Sequence, residues 1–398
     1  MDANIFDGRN MAVLNIKIFS TLFIAIFVTA MGAGFVAPLL PIYAHELGAG
    51  GFQIGLIFGA FSLTRTLFVP YFGKLSDRKG RKPFITTGLF LYFLVSLFYA
   101  ASKSVEALIL LRLGQGFASA MVLPVAQAYV GEMIPSGQEG RVMGLFNISL
   151  FGGLSAGPVM GGLIKDWLNI QASFTGMGIL TLAGFLLCLF MLPAERVKKS
   201  NDPGAGKKPA DYMDLIKMPS VFSIFAFRTC FTTCIGITWT FLPLLASSRI
   251  GLSSSAIGLV VMVNVLISGL LQAPMGYAAD RFSKRSLTLF GGFLALCAML
   301  SLDHADSFAQ LMVINGVLGL AGGVSLPAIM AIGVIQGRQS GSMGSIMGLL
   351  AFGHSIGMLA GPLLGGLLLD FFNFGTIFLS GAIVMALGTT MFWRRHQL

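Results

Sequence analysis

Twelve stretches of mostly apolar residues, centred near positions 31, 63, 92, 119, 154, 182, 233, 266, 294, 320, 356 and 384, dominate this chain. A helix needs about 20 such residues to cross the hydrocarbon core of a bilayer. Backbone N–H and C=O groups cannot stay unpaired in lipid, so runs this long and continuous read as helices rather than barrel strands. Only 11% of the residues are charged, against roughly 25% in soluble domains. The fold class expected is therefore an all-α membrane protein of twelve transmembrane helices in two pseudo-symmetric six-helix bundles. The first run, from about Ile18 to Tyr43, exceeds a signal-peptide core and lacks a small-residue cleavage pattern, so it is expected to stay in the mature protein.

The two bundles follow from an internal repeat. Asp77 recurs as Asp280, 203 positions on, and the same offset carries Pro124 to Pro327 and Arg112 to Asn315, while Gly157-Pro158 recurs as Gly361-Pro362. Between the halves the chain turns polar and rich in Pro, Gly and Lys. The expected organisation is a bundle over 1–193, a cytoplasmic linker over 194–218 with a short surface helix at Asp211 to Lys217, and a second bundle over 219–398. The net charge of +10 raises the question of nucleic acid, but the basic residues sit at the ends of the apolar runs, where topology accounts for them. With both termini in the cytoplasm, twenty of the 26 lysines and arginines fall on the cytoplasmic side, as the positive-inside rule requires. Cys188, Cys230, Cys234 and Cys297 all lie inside apolar runs and read as small hydrophobes, with no metal site and no cofactor implied.

The densest polar segment between spans is Gly73-Lys74-Leu75-Ser76-Asp77-Arg78-Lys79-Gly80-Arg81-Lys82-Pro83. Gly73 and Gly80 allow a tight reversal, and Asp77 is an acceptor set among five cations that can approach the positive N-terminal end of a helix. A degraded copy follows the eighth span, where Asp280 and Arg281 persist but Phe282-Ser283 replaces the residue-glycine pair. The fifth span carries Gly153-x-x-x-Gly157-Pro158-x-x-Gly161-Gly162 and the eleventh repeats it with Gly357, Gly361, Pro362, Gly365 and Gly366. This is a smooth stripe for close helix approach with a proline hinge.

With these residues in view, the chain resembles the major facilitator superfamily of secondary transporters, and most resembles its twelve-helix drug/proton antiporter branch. The family loop Gly-x-Leu-(Ala)-Asp-Arg-x-Gly-Arg-Lys is matched at Gly73, Leu75, Asp77, Arg78, Gly80, Arg81 and Lys82. The resemblance implies a conformational switch. Asp77 would face the start of the eleventh span near Ser342 to Gly344 and close the cytoplasmic side in the outward-open state, with Glu132 pairing with Arg78 or Arg81. The glycine-proline signature of the fifth span resembles that of exporters, although its second copy suggests a hinge common to both halves. The family's Arg-x-x-x-Gly pattern in the fourth span matches Arg112 and Gly116, which implies a part for Arg112 in proton coupling.

Polar groups at membrane depth are costly and usually face a water-filled cavity. Arg112, Gln115 and Ser119 share one helical face; Asn264, Ser268 and Gln272 form another, and Arg65 is the repeat partner of Ser268. The expected substrate cavity is lined by Arg65, Arg112, Gln115, Asn147, Arg228, Asn264 and Gln272. Snorkelling to a membrane surface remains the alternative for Arg112 and Arg228. His354, which titrates near neutral pH, joins Arg112 and Glu132 as a proton-coupling candidate, with a satisfied packing role as its alternative. No acid lies near the middle of a span: Glu46, Glu106, Asp166 and Asp370 fall at outer ends and Glu132 at an inner one. The function expected is proton-coupled efflux of small amphipathic or drug-like molecules by a monomeric, multi-pass protein of the cell membrane, bacterial inner membrane included. Its partners would be a small-molecule substrate, protons and the lipid bilayer. Transport of organic or lipid-like anions by the intramembrane arginines is the alternative. No HExxH, GxSxG or GxxxxGK pattern suggests an enzyme.

Overall fold

The computed structural model describes residues 15–134, 139–193, 212–340 and 342–395, and among them there are fourteen helices and no strand. The first half holds α1 (Ile16–Val36), α2 (Leu39–Glu46), α3 (Gly51–Lys79), α4 (Arg81–Ala101), α5 (Val105–Glu132), α6 (Glu139–Trp167) and α7 (Ile170–Met191). The second holds α9 (Pro219–Ser248), α10 (Ser254–Arg281), α11 (Lys284–Leu302), α12 (Phe308–Ser340), α13 (Met343–Phe371) and α14 (Phe374–Arg395). Between them α8 (Tyr212–Lys217) is short, and the rest of the expected linker up to residue 211 lies outside the described residues. Twelve helical segments are long and apolar enough to cross a membrane, with α1 and α2 counted as one.

The repeat is written into the helix geometry. Prolines lie inside α3 (Pro70), α5 (Pro124) and α6 (Pro158) and at matching places in α10 (Pro274), α12 (Pro327) and α13 (Pro362). Each removes one ladder hydrogen bond, so the places that favour a kink repeat between the halves. The first run departs from the expectation of one continuous helix: it breaks at Ala37 and Pro38. Pro38 has no N–H to continue the ladder, whereas the matching stretch of the second half has Thr240 and Phe241 there and α9 runs on through 30 residues.

The loop between α3 and α4 reverses at Gly80 alone, which has φ +88°, a region strained for any residue with a Cβ. Gly73, expected to share in the reversal, lies inside α3. In the second copy Ser283 has an ordinary φ of −62° and uses its hydroxyl to cap α11 at Ser286 N. One loop turns by glycine geometry and the other by a hydrogen-bonded cap.

Within the first half α1 packs along α6 and α7 and α3 along α5; within the second α9 packs along α13 and α14 and α10 along α12. Two seams join the halves, α3 against α13 and α6 against α10. The glycine stripes make this possible. Gly153 and Gly157 press on the backbone of α1 at Phe27 and Met31, while Gly162, on another side of α6, presses on the backbone of Ser254 in α10. Gly361 meets Thr233 of α9 and Gly366 meets Gly51 of α3 in the same pattern. Pro158 and Pro362 turn their carbonyls to Gly258 and Gly55 across the two seams.

Candidate functional site

A cavity of about 460 Å³ lies between the halves, walled by α1, α3, α4, α5, α6, α9, α10, α12 and α13. Most of the wall is apolar, with Phe58, Phe61, Phe151, Phe231, Trp239 and Met358 among its larger side chains. Its charges are Arg65, Arg112 and Arg228, with His354 beside them, and no Asp or Glu is among its lining residues. Arg65 lies fourteen residues into α3, about 21 Å along the helix from its start, and is therefore well inside the span.

The three arginines differ in how they are held. Arg112 is enclosed by its own half: its Nε donates to Ile57 O (3.2 Å), its Nη1 to Gln115 Oε1 (2.8 Å), and its guanidinium lies over Phe58 and Phe61 at 5.0 and 4.7 Å. Arg228 donates to His354 Nδ1 at 3.4 Å, and its buried Nε has no partner. A guanidinium only donates, so this bond places the ring proton of His354 on Nε2. Arg65 forms no hydrogen bond or ion pair with any described residue, although it faces both the cavity and a chamber of about 50 Å³ beside it.

The other expected cavity residues are distributed unevenly. Asn264 lines the cavity, but its amide is engaged with Asn315 O at 3.2 Å. Gln115 is fully buried behind the wall: its amide donates to Tyr92 Oη (2.7 Å), and Tyr99 Oη donates to its carbonyl (3.2 Å). Asn147 and Gln272 are half-buried on α6 and α10, outside the lining set.

At one end of the cavity the halves are bridged. The Asp166 carboxylate at the end of α6 accepts from Ser254 N (3.0 Å) and Ser255 N (2.8 Å), the first residues of α10. Asp370 at the end of α13 accepts from Gly51 N (2.5 Å) and Phe52 N (2.8 Å), the first residues of α3. Each carboxylate satisfies two orphan donors of a helix in the opposite half and meets the positive end of its dipole. These two residues were legible as acids at span ends, but their role was not. The signal available was their spacing, since each follows the Gly-Pro of its own stripe by eight residues.

At the opposite end the polar contacts among the described residues lie within the first half. Arg81 pairs with Asp77, one turn earlier, and with Glu132 of α5, and its Nη1 donates to Ser76 Oγ (2.7 Å). Asp77 is half exposed and makes no bond to α13 among the described residues; Arg78 is exposed. Asp280 is exposed, and Arg281 lies 4.3 Å over the Tyr277 ring. A Cβ added at Gly73, Gly131, Gly144 or Gly276 would meet nothing within 4 Å, unlike the crowded glycines near Asp166 and Asp370. The apolar core agrees. One buried cluster runs through both halves, but Ile18, Phe72, Phe84, Val125 and Tyr129 form a separate cluster confined to the first half. No group of three or more potential metal ligands occurs among the described residues.

Comparison with known proteins accords with this architecture. The family description "Major Facilitator Superfamily" matches residues 22–252 and 224–397. An uncharacterised MFS-type transporter of Methanocaldococcus jannaschii, MJ1560, is 28% identical over 91% of this chain and 94% of its own length. The quinolone resistance protein NorA of Staphylococcus aureus is 25% identical over 95% of each chain. Among solved structures, a bacterial homologue of the human lysosomal transporter Spinster, in an inward-facing and occupied conformation, superposes with a TM-score of 0.80 at 13% identity over 98% of both chains. With two matched halves, twelve apolar helices and a shared central cavity, this chain is a membrane transporter and not an enzyme, and it belongs to the Major Facilitator Superfamily.

Proposed function

We propose that this protein is an alternating-access exporter that exchanges small amphipathic molecules for protons. One observation carries the reading: a cavity contributed by both halves is closed by carboxylate caps across the halves at one end, and at the other no such cap joins them among the described residues. On this reading the bundles 1–193 and 219–398 rock about the cavity, with the linker 194–218 spanning them on the cytoplasmic side. The Asp77 end faces the cytoplasm, as its lysines and arginines favour, so the conformation is inward-open. The protein works as a monomer in a cell membrane, the bacterial inner membrane in a bacterial host. NorA, named for quinolone resistance, supports outward transport of drug-like cargo. Arg112, His354 and Glu132 are the proton-coupling candidates.

A second reading, carriage of organic anions, is favoured by a specific observation. Three arginines and no carboxylate line the cavity, so a cationic drug would find no counter-charge there. Reconstituted protein decides the main reading. In proteoliposomes containing a pH-sensitive dye, a gradient of an amphipathic cargo should drive protons the opposite way. Cargo flux without proton movement would exclude the exchange, and the absence of flux for any amphipath would exclude the carrier.

A further inference from the structure

We propose that the small chamber beside the main cavity is a head-group subsite for a monoanionic amphipath, with a carboxylate or sulfonate held between the two halves. The inference rests on the carrier reading above and deepens its second form. The chamber lies between α3 and α13 and is lined by Phe61, Ser62, Arg65, Thr66, His354, Ser355 and Met358. At about 50 Å³ it is several times the space one water requires, which is ~10–15 Å³. A carboxylate or sulfonate can enter it, and what discriminates against a quaternary ammonium is the charge of Arg65 and the absence of any acid in the lining.

Its chemistry selects an anion. Arg65 contributes a full positive charge and five donors, none of them engaged by a described residue. Across from it, His354 accepts from Arg228 on Nδ1 and so presents an Nε2–H donor. Ser62 is largely buried and its hydroxyl donates to no described group, while Thr66 is already engaged with Ser62 O. Arg65 is the charged group lining this space and His354 its neutral donor; Arg228, bonded to His354, and Arg112, held by its own half, stand on the wall of the main cavity. The acids nearest along α3 and α13 are Asp77 and Asp370, at the far ends of the helices. A buried guanidinium gains most from charge-assisted, bidentate bonds to an anion. The apolar part of the cargo then occupies the main cavity, against Phe58, Phe231 and Trp239.

The position of the subsite has a mechanical consequence. Arg65 belongs to the first half and His354 to the second, so one anionic group bonded to both ties α3 to α13 at mid-depth. The seam between these helices, now made by Gly51, Gly55 and Gly59, would extend toward the Asp77 end. Cargo binding would thereby favour the occluded state, and a membrane potential negative inside would drive the anion outward.

The test uses four shape-matched probes with the full chain in nanodiscs: naphthoxyacetate, naphthalene-2-sulfonate, naphthylmethyltrimethylammonium and naphthylmethanol. Calorimetry should show both anions binding about tenfold or more tighter than the cation, with the alcohol between them. Arg65→Gln should weaken the anions about ten- to a hundredfold and leave the alcohol unchanged. Arg65→Lys, which keeps charge but not the fork, should recover part of the loss. Equal or tighter binding of the cation would overturn the subsite, as would unchanged anion affinity in a folded Arg65→Gln protein. Proteoliposome flux separates this proposal from the one it rests on. Anions that bind through Arg65 but never cross would defeat the carrier and leave the subsite standing. Cation flux indifferent to Arg65→Gln would do the reverse.

Discussion

The two ends of the cavity are built from the same parts and are in opposite conditions. Asp166 and Asp370 each accept two backbone N–H bonds from a helix of the other half. Asp77, also a carboxylate at a membrane border, bonds among the described residues to Arg81 of its own half. The resemblance implies a comparable partner for Asp77, the start of α13, in another state. If so, each end is held by carboxylates on helix N-termini, and only one end can engage at a time. A capping carboxylate contributes about 1 kcal/mol. Two of them hold the closed end by about 2 kcal/mol, roughly a thirtyfold bias, which a cargo and a proton can reverse. Stronger bonds would lock the protein in one state.

The largest effect should come from the glycines rather than the aspartates. Gly162 and Gly366 lie where the backbone of the other half leaves no room for a Cβ. Gly162→Val combined with Gly366→Val should force the Asp166 and Asp370 end apart by about 1–3 kcal/mol per site. Cysteines placed near Ser255 should then react rapidly with a membrane-impermeant maleimide added on that side, and transport should be lost. Slow labelling with full transport would show that the glycines are incidental to the seam.

Removing the caps should have a smaller, graded effect. Asp166→Ala and Asp370→Ala should each shift the equilibrium by about 1 kcal/mol toward opening of this end. Their effects should add, because the caps lie on separate seams. Asp166→Asn should retain most of the hydrogen bonding and lose only the charge–dipole part, about 0.3–1 kcal/mol. Spin-label distances between the ends of α6 and α10 would measure the three shifts; no difference between Ala and Asn would mean that only charge matters.

How far the sequence reached explains where such tests are needed. The spans were legible because bilayer thickness sets a length that composition reveals directly, and the repeat was legible because Asp77, Arg112 and Pro124 share an offset of 203 and Gly157-Pro158 recurs at 204. The polar faces were harder. Arg112, Gln115 and Ser119 do share a face, but helical periodicity cannot say whether the partner is cavity water or another helix. Tyr92 and Tyr99, sixteen to twenty-three residues away, engage Gln115. The role of Asp166 and Asp370 is hidden in the sequence because an acid at a span end is ordinary until the other half is placed beside it. The break at Pro38 follows from a local rule, yet Pro158 and Pro362 lie in helices that continue. Only packing separates the two cases.

The smallest effect, and the one that sharpens the comparison most, belongs to Asp77. Its side chain is 59% exposed and its bond to Arg81 joins residues four apart across the turn at Gly80, so Asp77→Asn should change thermal stability by about 0.5 kcal/mol or less. Glu132→Gln should cost somewhat more, about 1 kcal/mol, because Arg81 is almost buried and loses the charge of a carboxylate it pairs with. Neither should loosen the Asp166 and Asp370 end. If Asp77 holds the other state, its loss must raise the population of the conformation described here, so maleimide labelling near Ser255 should become slower. Asp166→Ala should make the same labelling faster. Opposite signs from two carboxylate substitutions at the two ends would establish that they compete for one equilibrium. Faster labelling in both variants would mean that the Asp77 loop supports the closed end rather than opposing it.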